Sequence, residues 1–166
     1  MKLNLSTIWA LAIVSSAAFA RPLYNSILSF FPRQLVIYVV GFLIFISLAF
    51  ILRRAYRSLS LTEGKAQNLL PIVCAVIILV GLFLVLELPE EKIHIVLYSI
   101  LGFVRATERN DSKIENVLLF VLTVSISSEV FQAILPDRFC DIRDVLIDTV
   151  SGFAGGVLAK SAYKRV

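Results

Sequence analysis

An all-α bundle of membrane-spanning helices is the fold class this sequence predicts, and three observations predict it. Of 166 residues, 58% are apolar and only 17% are charged, where soluble domains carry about a quarter charged. The mean hydropathy is +0.88. Three stretches, 3–20, 34–52 and 66–86, run for 18, 19 and 21 residues without a charge. A helix needs about 20 mostly apolar residues to cross about 30 Å of hydrocarbon, so each stretch predicts a span. The length predicts one domain over 1–166. A formal charge of +4 would suggest nucleic acid in a soluble protein, but here the placement of the charges governs, and no nucleic-acid partner is expected.

The first span, 3–20, admits two readings. Lys2, the apolar run and Ala18-Phe19-Ala20 before Arg21 resemble a signal peptide with an A-x-A cleavage site. The run is long for such a segment and a second span follows closely, which favours a retained helix; six spans are expected, or five after cleavage. The second and third spans, 34–52 and 66–86, are plain. The fourth is short: 93–104 holds 12 uncharged residues, so its helix needs the stems of Arg105 and Arg109 to reach the surface. The fifth, 116–136, is long enough only with Glu129 inside it. The sixth, 142–159, takes Arg143, Asp144 and Asp148 into its first two turns.

Orientation follows from lysine and arginine in the short loops. With the amino terminus inside, the cytoplasmic loops collect 11 basic residues against four acids, Glu63, Glu108, Asp111 and Glu115. The opposite side holds five, Arg21, Arg33, Lys92, Arg138 and Arg143, against eight acids. The alternation holds at every loop and predicts both termini in the cytoplasm of a multi-pass inner-membrane protein. Cys74 and Cys140 have no zinc-type spacing, and nothing argues that they pair.

Ionisable residues inside spans cost about 2.5–3.5 kcal/mol each on insertion scales and usually face the bundle interior. At 100° per residue, Asp141, Asp144, Asp148, Gly152 and Gly155 share one stripe of the sixth helix. Ser125, Ser128, Glu129 and Gln132 share one stripe of the fifth, and His94 and Tyr98 lie one turn apart on the fourth. All three polar stripes fall at the outer end. Plainer readings stand beside this one. Gly152-x-x-x-Gly156 is a small-residue pattern that lets helices approach. Asp141 and Asp144 suit a helix N-terminus, which explains Asp148 poorly. A buried ion network with Arg138 would be purely structural.

Two blocks carry a family resemblance. Glu91-Lys92-Ile93-His94-x-x-x-Tyr98-x-x-Leu101-Gly102 is the first; Glu129-x-x-Gln132-x-x-x-Pro136-x-Arg138, then Asp144, Gly152 and Gly156, is the second. Over 90–159 the chain resembles the VanZ-like membrane proteins, named after a protein associated with resistance to the glycopeptide teicoplanin. The sequence departs from the family pattern at Ser128, where members often carry an acid, and at Asp148, where they often carry Asn.

The residues and the resemblance together predict an envelope protein whose outer site binds a cell-wall or lipid-linked ligand through Lys92, His94, Tyr98, Glu129, Gln132, Arg138, Asp141, Asp144 and Asp148. Arg138 would take a phosphate or carboxylate in its fork. The resemblance implies a peptidoglycan precursor, a lipid-linked glycan or a glycopeptide as partner, beside the bilayer itself. A second reading is an enzyme on a lipid-linked phosphate or amide, with His94, Glu129 or Asp144 as its acid–base groups. No cofactor is expected beyond a divalent cation on Asp144, Asp148 and Glu129. A third is an ion- or proton-coupled carrier, for which a homo-oligomer would have to complete the path, since no acid sits at the midplane.

Overall fold

The computed structural model describes residues 4–32, 65–87, 89–108, 113–136 and 139–162, with isolated positions between 34 and 53. The described residues form five helices and no strand: α1 (Leu5–Phe30), α2 (Lys65–Val85), α3 (Pro89–Glu108), α4 (Ile114–Ile134) and α5 (Ile142–Ala162). The expected second span falls mostly outside the described residues; the positions described there, Tyr38 and Phe42 among them, are helical.

Two helices run beyond the stretches expected for them. α1 runs 26 residues, through Arg21 and Pro22, to Phe30, rather than closing at residue 20. A proline removes one N–H from the ladder and clashes with the preceding turn, yet such breaks are tolerated in helices that neighbours and lipid enclose. The helix ends where Phe31 precedes Pro32: its ψ is 141°, the extended conformation a following proline imposes. α4 ends in the same way before Pro136, with Leu135 at ψ 143°. α3 extends beyond the expected 93–104 at both ends, and Arg105 remains packed, its guanidinium 4.3 Å above the Phe120 ring.

α5 is the hub. It makes its largest contact with α3 and further contacts with α4 and α2, while α1 lies against α3 and α4. Glycine makes the α3–α5 approach possible. A Cβ added at Gly102 would stand 1.8 Å from the Gly152 carbonyl oxygen, and one at Gly155 would stand 2.0 Å from that of Ser99. Gly156 faces α4 instead, where an added Cβ would meet Val117 Cγ1 at 2.9 Å. Backbone therefore rests on backbone along α3 and α5, which only residues lacking a side chain permit.

The packing is inverted relative to a water-soluble bundle. α4 buries Ser125, Ser128, Glu129 and Gln132 together with Val117, Val121 and Val124. Its other face exposes Leu119, Ile126, Val130 and Ile134. On α2, Leu70, Val73, Ile77, Leu84 and Val85 are likewise exposed. Apolar surface outside with polar groups within is the arrangement lipid selects, because water would penalise the first and lipid the reverse. Among the described residues, α4 is the helix long and apolar enough to cross a membrane; the chain is an all-α membrane protein.

Beneath these faces lie two apolar clusters. Ile72, Ala75, Leu79, Ile95, Ile147 and Leu158 join α2, α3 and α5. Ala10, Ile13, Leu101, Val117, Val121 and Ala159 join α1, α3, α4 and α5.

Candidate functional site

The N-terminal halves of α3 and α5 and the C-terminal half of α4 meet at one end of the bundle, and their polar stripes converge there. Asp148 lies at the centre and is 0% exposed. Its Oδ1 lies 3.0 Å from His94 Nδ1 on α3, and its Oδ2 accepts a 2.9 Å bond from Ser125 Oγ on α4. One carboxylate thus ties three helices. A carboxylate is acceptor-only when ionised and costly to leave unpaired in an apolar interior; here both of its oxygens are engaged. The Tyr98 ring stacks on His94 at 6.1 Å and 24°. Its buried hydroxyl points among Ser125, Ser128 and Asp148 without closing a hydrogen bond to any of them.

Glu129 is the second anchor, 1% exposed. Gln132 Nε2 donates to its Oε1 at 2.8 Å, and the backbone N–H of Asp141 donates to its Oε2 at 2.9 Å. The first of these bonds lies within α4; the second holds the start of α5 against the end of α4. Asp141 in turn caps α5: its Oδ1 accepts the Arg143 N–H at 2.8 Å, and its carbonyl accepts from Asp144 and Val145. This is the N-cap role that a short acidic side chain serves at the first unpaired amides of a helix.

Around these anchors lies a more open ring. Arg143 Nη1 donates to Glu91 Oε1 at 2.7 Å, pinning α5 to α3. Lys92 Nζ sits 4.7 Å above the Phe83 ring of α2, a cation–π contact that keeps the ammonium beside the cluster. Asp144 is half-buried one turn before Asp148. Arg138 lies outside the described residues. Among the described residues no three His, Cys, Asp or Glu side chains, Asp144, Asp148 and Glu129 included, are placed to hold a metal ion. The physical reason is that the oxygens of Glu129 and Asp148 are already engaged by protein donors.

The structure therefore brings together His94, Tyr98, Ser125, Glu129, Gln132 and Asp148, and sets Asp141 aside as a cap. The Glu91–Arg143 pair was not foreseen, since its partners lie 52 positions apart and no local spacing relates them. At the opposite end of the bundle a further polar cluster was equally hidden. Glu108 accepts the Ser6 N–H at 2.8 Å on Oε1 and the Ser6 hydroxyl on Oε2, while Trp9 Nε1 donates to the Leu97 carbonyl at 3.1 Å. These bonds fasten α1 to α3.

No curated protein and no solved structure matches the chain. A family model described as VanZ/LLP1 matches residues 3–163, so the likeness is not confined to the two motif blocks but runs through α1 and α2 as well. With the His94, Glu129 and Gln132 positions of those blocks gathered at one end of the bundle, the chain belongs to the VanZ/LLP1 family.

Proposed function

We propose that this is a six-span protein of the bacterial cytoplasmic membrane, both termini inside, whose outward-facing polar end recognises the polar group of a cell-wall or lipid-linked ligand. The observation that carries the reading is the pair of fully buried acids, Glu129 and Asp148, placed at one end of an otherwise apolar bundle. Acids at such positions are disfavoured by about 2.5–3.5 kcal/mol each on insertion, and a merely structural bundle does not need them. The lysine and arginine distribution supports placing that end outside. The packing of Ala10 and Ile13 into the core favours a retained first helix. Arg138, two residues beyond Pro136, supplies the fork for a phosphate or carboxylate. The ligand in this reading is a peptidoglycan precursor, a lipid-linked glycan or a glycopeptide, as the resemblance to the VanZ-like proteins implies.

Susceptibility of cells to teicoplanin and other wall-acting agents tests the reading, with wild type, Glu129→Gln, Arg138→Ala and Asp144→Asn compared at matched membrane levels. Protection by wild type, lost in each variant, is the expected result. Equal behaviour of all four, with the variants still folded, would remove the link to the antibiotic.

A further inference from the structure

The imidazole of His94 is held in one orientation by groups from three helices. Its Nδ1 lies 3.0 Å from Asp148 Oδ1. The carboxylate can only accept, so Nδ1 carries the hydrogen. In the neutral ring this leaves the lone pair on Nε2. The two nitrogens point away from each other, which turns Nε2 away from Asp148. The His94 side chain is 26% exposed and that of Asp148 is 0% exposed, so the open edge of the ring is the one remote from the carboxylate. Ser125 fixes the second oxygen of Asp148 from α4, and Tyr98 stacks along the ring.

A histidine that merely filled space would need neither a buried carboxylate nor a hydroxyl clamping that carboxylate. We propose that His94 is the proton acceptor of this site, its Nε2 taking the proton of a neutral hydroxyl group on the ligand, with Asp148 as its positioning residue. The proton leaves the ligand's oxygen, the bonding pair stays on that oxygen, and the imidazolium formed faces the Asp148 carboxylate. The surrounding groups select the ligand's charge. Asp144 and Asp148 on α5 and Glu129 on α4 face the ring, while Glu91 on α3 is already answered by Arg143. The remaining negative field disfavours a ligand group that arrives at Nε2 already anionic. This proposal rests on reading that end of the bundle as a ligand site.

His94 is the single histidine of the chain, so ¹⁵N-histidine labelling of the full-length protein in detergent gives one ring to observe. The expected wild-type spectrum across a pH titration is a ring that, in its neutral form, carries hydrogen on Nδ1 and none on Nε2. In Asp148→Asn the hydrogen moves to Nε2, and diethyl pyrocarbonate, which acylates a bare ring nitrogen, modifies His94 more slowly than in wild type. A wild-type ring that stays doubly protonated throughout the titration, or that in its neutral form carries its hydrogen on Nε2, overturns the proposal whether or not the variant folds. In cells, His94→Gln at matched membrane levels is expected to lose protection along with Glu129→Gln. Loss in Glu129→Gln with full protection by His94→Gln would leave the ligand site standing and overturn the role of His94.

Discussion

At the residue scale, the buried acids are defined by their donors. Glu129 receives two hydrogen bonds and Asp148 receives one hydroxyl bond and faces one imidazole. Ser125→Ala would strip one oxygen of Asp148 of its donor in an interior where water is not at hand. An unsatisfied buried acceptor of this kind costs about 1–3 kcal/mol, so thermal unfolding of the purified protein in detergent should shift down by that amount. Glu129→Gln turns an acceptor into a group carrying an N–H₂ that must face either Gln132 or the Asp141 N–H, both donors. A loss of about 1–3 kcal/mol follows by the same principle, with the junction between α4 and α5 the first part to loosen under native-state hydrogen exchange. Much of this was legible beforehand, because helical phase alone puts Ser125, Glu129 and Gln132 on one stripe and Asp148 on another. Their pairing was not legible. Ser125 and Asp148 are 23 positions apart, and His94 and Asp148 are 54 apart; periodicity orders residues around one helix and carries nothing about the angle at which another helix meets it.

At the scale of elements, the glycines separate two kinds of substitution. Gly102→Ala and Gly155→Ala would drive a methyl into a carbonyl oxygen of the facing helix, at 1.8 and 2.0 Å. Backbone cannot swing aside as a side chain can, so α3 and α5 must separate. Overpacking of this kind costs about 1–3 kcal/mol or more. Gly81→Ala meets nothing within 4 Å and, by helix propensity, should gain up to about 1 kcal/mol. Opposite shifts in the unfolding temperature of these variants check the assignment; equal shifts would contradict it. The Gly152-x-x-x-Gly156 spacing is visible in the sequence, but both glycines turn toward α4, onto Val121 and Val117, while it is Gly155 that meets the backbone of α3, and only the assembled bundle separates these roles. The extension of α1 past Arg21 and Pro22 was likewise hidden, since charge and proline are local stop signals whose effect neighbouring helices and lipid override.

At the scale of the molecule, the inverted distribution of polarity follows from composition, and that much was evident from 17% charged residues in 166. The orientation proposed above has a direct consequence for the two cysteines, both of which are exposed. Cys140 lies between α4 and α5 at the polar end, and Cys74 lies within α2. A membrane-impermeant maleimide applied to intact cells should therefore label Cys140 and leave Cys74 unmodified in lipid; a Cys74→Ser variant should label as wild type does and a Cys140→Ser variant should not. Labelling of Cys140 only after permeabilisation would invert the topology and, with it, the face on which the polar cluster lies.

The position of α5 as the hub bears on the order of assembly. Translation delivers segments from the amino terminus, so α1, α2, α3 and α4 are made before the helix that contacts three of them exists. Until then Glu129 lacks its Asp141 donor, Ser125 and His94 lack Asp148, and the face of α3 at Ser99 and Gly102 has no counterpart. Completion is thus a late, concerted event, in which one helix closes the seam and supplies the missing partners together.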